Sequence, residues 1–279
     1  MNRTINIIGI LAGVIFILFA NLSFVNEFVS SLLMALGTGL FAACFVNIIL
    51  QVCKEKEPEE PMKLLTNERI DLTKFYRKSR SQVRHHHDLL SIAVAGALKD
   101  ISKDDHLLDR ILRDRLKVRL LFLNPLSGFV RQRAAEDQMT VADVYKELSA
   151  SIALAVEIGG KLKARYAELK KSKLLNEADE GSFEVRLYDG CPYLTIFRAD
   201  DEIVWGLYTA EKRGVNSAAF RSKKGDSALS GQLEGHFNVI WERSRSACIV
   251  RYLEQNAPVV FDGFVEHLNA EIARLSSQN

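Results

Sequence analysis

The chain has 279 residues, with 37 Lys or Arg against 35 Asp or Glu and a formal net charge of +2. That balance gives no global attraction to polyanions, so double-stranded nucleic acid is not an expected partner. The four cysteines, Cys44, Cys53, Cys191 and Cys248, show no paired spacing, which excludes a disulfide framework and a cysteine-based zinc site.

Thr4 to Asn26 and Phe28 to Cys53 carry no charged side chain and are interrupted by Glu27 alone. A bilayer core of ~30 Å is crossed by about 20 helical residues, so 1–53 is expected to be a transmembrane helical hairpin. A cleaved secretory signal fits less well, because a second and longer apolar run follows at once. Arg3 before the first run and Lys54 and Lys56 after the second put both termini and the remaining chain on the cytoplasmic side of an inner membrane. Gly9 and Gly13 on the first run, and Ala35, Gly39 and Ala43 on the second, form small-residue stripes, and Asn47 is a polar group deep in the second. Such stripes either close the hairpin on itself or join chains, so membrane lipid and a homo-oligomer are the expected partners here.

Residues 54–87 read as a charged, proline-broken linker followed by a basic juxtamembrane helix from Thr66 to Asp88, with Lys74, Arg77, Lys78, Arg80 and Arg84. That basic face serves either anionic headgroups or solvent. His85, His86 and His87 are consecutive, so a helix would point them in three directions and no metal site is expected. Leu89 to Ala95, a helix carrying Leu107, Leu108, Ile111, Leu112 and Leu116, and Val118 to Leu123 then make a strand–helix–strand unit of a parallel sheet. Asn124 to Gly128 is a loop, and Phe129 to Asp137 a short helix bearing Arg131 and Arg133.

Thr140 and Asp143 open a long helix in capping-box fashion. After Gly181 the apolar period changes to two, and Phe183–Tyr188, Tyr193–Arg198 and Glu202–Tyr208 read as an antiparallel meander. Ala218 to Ser222 extends it, Leu233, Phe237, Ile240 and Trp241 mark a helix, and a terminal helix runs near Phe261 to Leu275. The fold class is therefore α/β, with a mixed-sheet cytoplasmic domain over 88–279.

The run Val118-Arg-Leu-Leu-Phe-Leu-Asn-Pro125, then Val130-Arg-Gln-Arg133, Phe183–Tyr188 with Pro192, Phe197, Asp200-Asp201 and Gly206, and Phe237-x-x-x-Trp241-Glu242 resemble a bacterial group with a phospholipase-D-like fold. The resemblance covers Asp88 to Ser246 and implies a hairpin carrying an H-x-K-x-x-x-x-D signature. In that frame Tyr193 stands where the nucleophilic His belongs and Thr195 where the Lys belongs, and Asp200 agrees. A neutral phenol and hydroxyl supply neither the nucleophile nor the cation that phosphodiester chemistry uses, so no catalytic residue and no cofactor are expected.

A cleft that keeps its shape without its nucleophile becomes a binding site, placed beyond the carboxyl ends of the parallel strands near Gly96 and the 124–128 loop. Asn124, Ser127, Arg131, Arg133, Tyr193, Thr195 and Asp200 are the candidate ligand-binding residues. Both arginines suit an anion clamp, and both equally suit a solvated helix face. The expected function is a non-catalytic, membrane-anchored sensor or effector that binds a phosphorylated or nucleotide-like signal or a protein, of a kind found in bacterial anti-phage defence. The alternative is a membrane-tethered phosphodiesterase or lipase with displaced catalytic residues, for which His236 is the control position.

Overall fold

The computed structural model describes residues 11–12, 14–16, 18–19, 29, 33, 36, 63–176, 181–191, 193–208, 214–225, 228–253 and 256–277. The chain divides into two compact units, Met1–Glu59 and Glu60–Asn279. Among the described residues no helix is long and apolar enough to cross a membrane, which corrects the expected two-span hairpin over 1–53 and the two-pass inner-membrane location drawn from it. An uncharged run meets the length rule by composition, whereas a span requires an unbroken helix of about 20 residues. The described helical positions of that stretch do not add up to one. Gly9, Gly13, Ala35, Gly39, Ala43 and Asn47, the residues of the packing stripes, lie outside the described residues.

The second unit is built on a sheet of nine strands among the described residues: β1 Lys63–Thr66, β2 His86–Leu90, β3 Lys117–Leu123, β4 Ser182–Tyr188, β5 Leu194–Ala199, β6 Glu202–Leu207, β7 Ala219–Lys223, β8 Cys248–Tyr252 and β9 Val259–Val260. Their order is β1-β7-β6-β5-β2-β3-β4-β8-β9. Only β2–β3 and β3–β4 are parallel pairs, so the sheet is mixed. The helices are α1 Thr73–Gln82, α2 Ala95–Ser102, α3 Asp105–Arg113, α4 Phe129–Glu136, α5 Val141–Lys171, α6 Ala228–Arg243 and α7 Asp262–Ser276. Helices α2 and α3 form the crossover between β2 and β3, the connection that parallel strands require.

Strand β3 is buried along Leu120–Leu123, as a central parallel strand covered on both faces must be. On one face Val185 pairs with Val250, and the 31-residue α5 lies over them. A Cβ at Gly159 would meet the Val260 side chain at 2.7 Å and Val250 at 3.0 Å, so glycine there permits the close approach of α5 to the sheet. The Thr140 side chain accepts from Asp143 N at 3.1 Å and the Asp143 carboxylate accepts from Thr140 N, completing a capping box on α5. Thr140→Ala is expected to lower stability by about 1 kcal/mol; a urea midpoint equal to that of the parent would contradict it.

Side chains alternate across a strand, so the opposite face carries the neighbours of Val185 and Val250. There, one register row reads Arg198, Asp88, Arg119, Glu184, Arg251 across β5, β2, β3, β4 and β8. The charges alternate in sign, so every cross-strand neighbour is a counter-ion. Helix α6 covers the row: Arg119 and Arg186 lie over the Trp241 ring at 5.4 and 3.9 Å, and Arg186 donates to the Trp241 carbonyl at 2.9 Å.

Three further expectations are corrected. The basic segment is not one helix from Thr66 to Asp88 but β1, a short 3-10 turn Arg69–Leu72 and the ten-residue α1. The strand expected over Leu89–Ala95 begins earlier, at His86, because His87 and Asp88 are buried polar residues that pair within the sheet. The expected meander also loses its first member: β4 pairs with β3 and β8 rather than β5, and the meander is β5–β6–β7.

Candidate functional site

A cleft of ≈ 390 Å³ opens at the carboxyl end of β2, on the α5 side of the sheet. Its floor is Leu89 and Ser91–Val94 with Thr195 and Phe197 of β5. One wall is the first turn of α2, where Gly96 and Ala97 lie, with Asp100 a turn further on. The other wall is α1, whose Thr73, Tyr76, Arg77 and Arg80 share one face at helical spacing. Asp137, Met139 and Glu147 close one end, and Arg69, Tyr208 and Gly214 the other.

Tyr208 ties these walls together. Its hydroxyl contacts Ser91 Oγ at 2.9 Å and accepts from Ile92 N at 3.2 Å. The guanidinium groups of Arg69 and Arg133 lie 4.8 and 4.9 Å from its ring centroid, within cation–π range. Arg69 is held by donating Nε to the Gly214 carbonyl at 2.5 Å. Arg133 is 1% exposed and is consumed by Asp137, to which Nε donates at 3.0 Å, and by Glu136. Tyr208→Phe is therefore expected to cost about 1 kcal/mol, the net worth of a hydroxyl hydrogen bond; a thermal melt coinciding with the parent would argue against that anchoring.

Arg80 is 5% exposed and donates to the Ala97 carbonyl at 3.4 Å, with Asp100 at 3.3 Å. Its Nε–H has no acceptor among the described residues. Burial lowers the Arg80 pKa, and Asp100 opposes that shift. Burial likewise pushes the Tyr76 phenol up to about 12, against the pull of Arg69. His87 is fully enclosed on the same face; burial and then Arg80 push its imidazole down to about 4, so it is neutral near pH 7. Its Nδ1 meets the Arg198 carbonyl at 3.0 Å.

The residues singled out in the sequence are dispersed. Thr195 lines the cleft, with its hydroxyl donated to the Leu90 carbonyl at 3.1 Å. Arg133 stands behind Tyr208. Asn124 and Ser127 stabilise the β3–α4 loop: Asn124 Oδ1 accepts from Leu126 N at 3.0 Å, and Ser127 Oγ donates to Asp189 at 2.6 Å. Arg131 is exposed on α4, and Tyr193 is 64% exposed outside the cleft. Asp200 binds the backbone N–H groups of Arg84, His85 and His86 at 2.7, 2.7 and 2.9 Å. Five residues of strand separate it from Thr195, about 17 Å, so the two do not share a site. His236 sits on α6 and does not line the cleft. Among the described residues no group of three or more His, Cys, Asp or Glu is placed to hold a metal ion.

Arg69, Tyr76, Arg80 and Tyr208 escaped the sequence reading. The signal was present for α1, since Thr73, Tyr76, Arg77 and Arg80 follow the i, i+3, i+4, i+7 pattern of one helix face. The basic letters in that pattern suggested a surface rather than a wall.

Among solved structures, an archaeal chromatin protein, TrmBL2, with a novel mode of DNA binding, is similar over 78% of this chain and 67% of its own, at 14% identity and a TM-score of 0.36. The phosphatidylserine synthase of Haemophilus influenzae Rd KW20 is similar over 74% of this chain and 43% of its own, at 12% identity and a TM-score of 0.33. Likenesses this distant carry no argument about what the chain binds. The exclusion of double-stranded nucleic acid is nevertheless withdrawn, since one neighbour is a DNA-binding protein and a chain-wide charge of +2 does not bound the field of a local surface. Membrane lipid as a partner falls with the spans, and the homo-oligomer rested on stripes outside the described residues. No curated protein matches the sequence. A family model matches residues 85–247, more than half of the chain, and the chain belongs to that family, described as Domain of unknown function (DUF5919).

Proposed function

We propose that this protein is a non-catalytic sensor, a degenerate relative of phospholipase-D-like domains whose cleft binds a phosphorylated or nucleotide-like small molecule. The observation that carries the reading is the cleft itself: three arginines and two tyrosines converge on ≈ 390 Å³. That volume falls within the ~300–1,000 Å³ of small-molecule sites. Guanidinium groups bind phosphate, and phenol rings stack on flat heterocycles. The absence of chemistry is argued from the two substituted positions. The Thr195 hydroxyl is already donated to Leu90 O. The Tyr193 phenol is raised from its ordinary pKa, first by a hydrogen bond with Cys191, so it stays protonated at neutral pH.

The test is a thermal-shift and calorimetric panel of nucleoside mono-, di- and triphosphates and sugar phosphates on the intact chain. A ligand at about 100 times its Kd is expected to add ~2.7 kcal/mol of stability. A flat panel sinks the reading. So does turnover of a phosphodiester that disappears in His236→Ala.

A further inference from the structure

The cleft has a polar end that none of the side-chain pairs around it uses up. Helix α2 opens into it directly from β2, and its N-cap Val94 provides no side-chain cap. In the first turn of a helix the N–H groups have no acceptor further up the chain. The Val94 N–H is taken by Ser151 Oγ at 3.1 Å, and that of Leu98 by the Val94 carbonyl at 2.9 Å. Those of Ala95, Gly96 and Ala97 are left without an acceptor among the described residues. The second observation is independent. Arg80, from α1, reaches the same turn through its 3.4 Å hydrogen bond to Ala97 O, and it keeps a buried Nε–H that nothing accepts. Burying such a donor unsatisfied costs about 1–3 kcal/mol, a cost that an anionic acceptor removes.

We propose that the first turn of α2 and the Arg80 guanidinium form an anion subsite for the single phosphate of a phosphomonoester, with the ligand's flat ring against Tyr76 and Tyr208. This deepens the sensor reading and rests on it. A helix N-terminus facing a phosphate places aligned N–H groups and a partial positive charge on it, and Arg80 adds the full charge.

The limit to one phosphate comes from the rest of the lining. Arg69, Arg77 and Arg80 are matched in number by Asp100, Asp137 and Glu147. Arg77 already donates to Asp100 at 3.1 Å, so it has little to offer a second phosphate. Further phosphates would extend toward carboxylates.

The experiment measures binding of AMP, GMP, ATP, adenosine and inorganic phosphate to the intact chain by calorimetry. It compares the parent with Arg80→Lys and Gly96→Asp. A nucleoside monophosphate is expected to bind at least tenfold tighter than both the triphosphate and the nucleoside. Arg80→Lys is expected to weaken it at least tenfold, since an ammonium keeps the charge but not the planar donor.

Gly96→Asp guards against misfolding. A Cβ there meets nothing within 4 Å, and an acid in the first turn favours the helix. It should melt no lower than the parent yet lose monophosphate binding at least tenfold. Triphosphate binding as tight as monophosphate, or variants that bind like the parent, overturns the subsite while leaving the sensor reading intact. A panel in which nothing binds overturns both.

Discussion

Asp88→Ala should destabilise the fold by about 3–5 kcal/mol, the cost of stranding a buried cation without its partner. Asp88 is 2% exposed at the centre of the sheet. Its Oδ1 and Oδ2 accept from Arg119 at 2.7 and 2.8 Å in a bidentate pair, and Oδ2 also accepts from Arg198 at 3.3 Å. Arg198 keeps Glu234 at 2.8 Å and Arg119 keeps Asn238 at 3.0 Å, so neither is left wholly bare. The row nevertheless loses its only acid between two arginines. Beyond it, Glu184 receives both Arg186 at 2.7 Å and Arg251 at 3.2 Å and has no capacity to spare. Asp88→Leu combined with Arg119→Met is expected to recover much of the loss, since an apolar pair of similar volume often replaces a buried ion pair without penalty. Urea unfolding measures both. An alanine variant within 1 kcal/mol of the parent would show that α6 leaves the row wet enough for solvent to do the work of Asp88.

The same row explains why parts of the fold were legible and others were not. Strand β3 announces itself in Val118-Arg-Leu-Leu-Phe-Leu123, and α5 in the Thr140–Asp143 box with its buried stripe, because apolar spacing and cap chemistry are local. Strand β2 hides its start because His87 and Asp88 are polar letters whose burial is made tolerable only by Arg198 and Arg119, more than 30 residues away. The place of β4 was misjudged because β8, a five-residue strand after α6, takes the edge that chain adjacency would have offered to β5.

The cleft was legible in position, at the end of β2 beside Gly96 and Thr195, since open α/β sheets bind ligands there. Its arginines were not. Arg69 and Arg80 come from a segment read as juxtamembrane, and their enclosure depends on Tyr208, which is brought over by the β5–β6 hairpin. Apolar composition likewise said nothing about helix continuity in residues 1–53.

Asp200→Ala is the second large effect, and it works through the backbone. The chain turns from β5 into β6 at Asp200 with φ +52°, a left-handed conformation that Asn and Asp tolerate and alanine does not. Its carboxylate also gathers the N–H groups of Arg84, His85 and His86, which pins the entry to β2 against the end of β5. Alanine loses all three acceptances and adds strain. Because the site is partly open to water, the expected cost is about 2–3 kcal/mol rather than the full sum. Asp200→Asn keeps the conformation and one carbonyl acceptor and should cost about 1 kcal/mol.

The carboxyl also predicts an acid limb. Burial raises its pKa, but the N–H donors of His86, Arg84 and His85 outweigh burial and hold it below its ordinary 3.8. A group whose folded pKa is depressed stabilises the protein above its unfolded pKa and loses that contribution as pH falls through the folded value. The parent should therefore lose its advantage over Asp200→Asn as pH is lowered from about 5 to 3, because the amide does not titrate. If the two melting curves run parallel over that range, the anchoring of β2 does not depend on the Asp200 charge, and the hydrogen-bond geometry alone accounts for it.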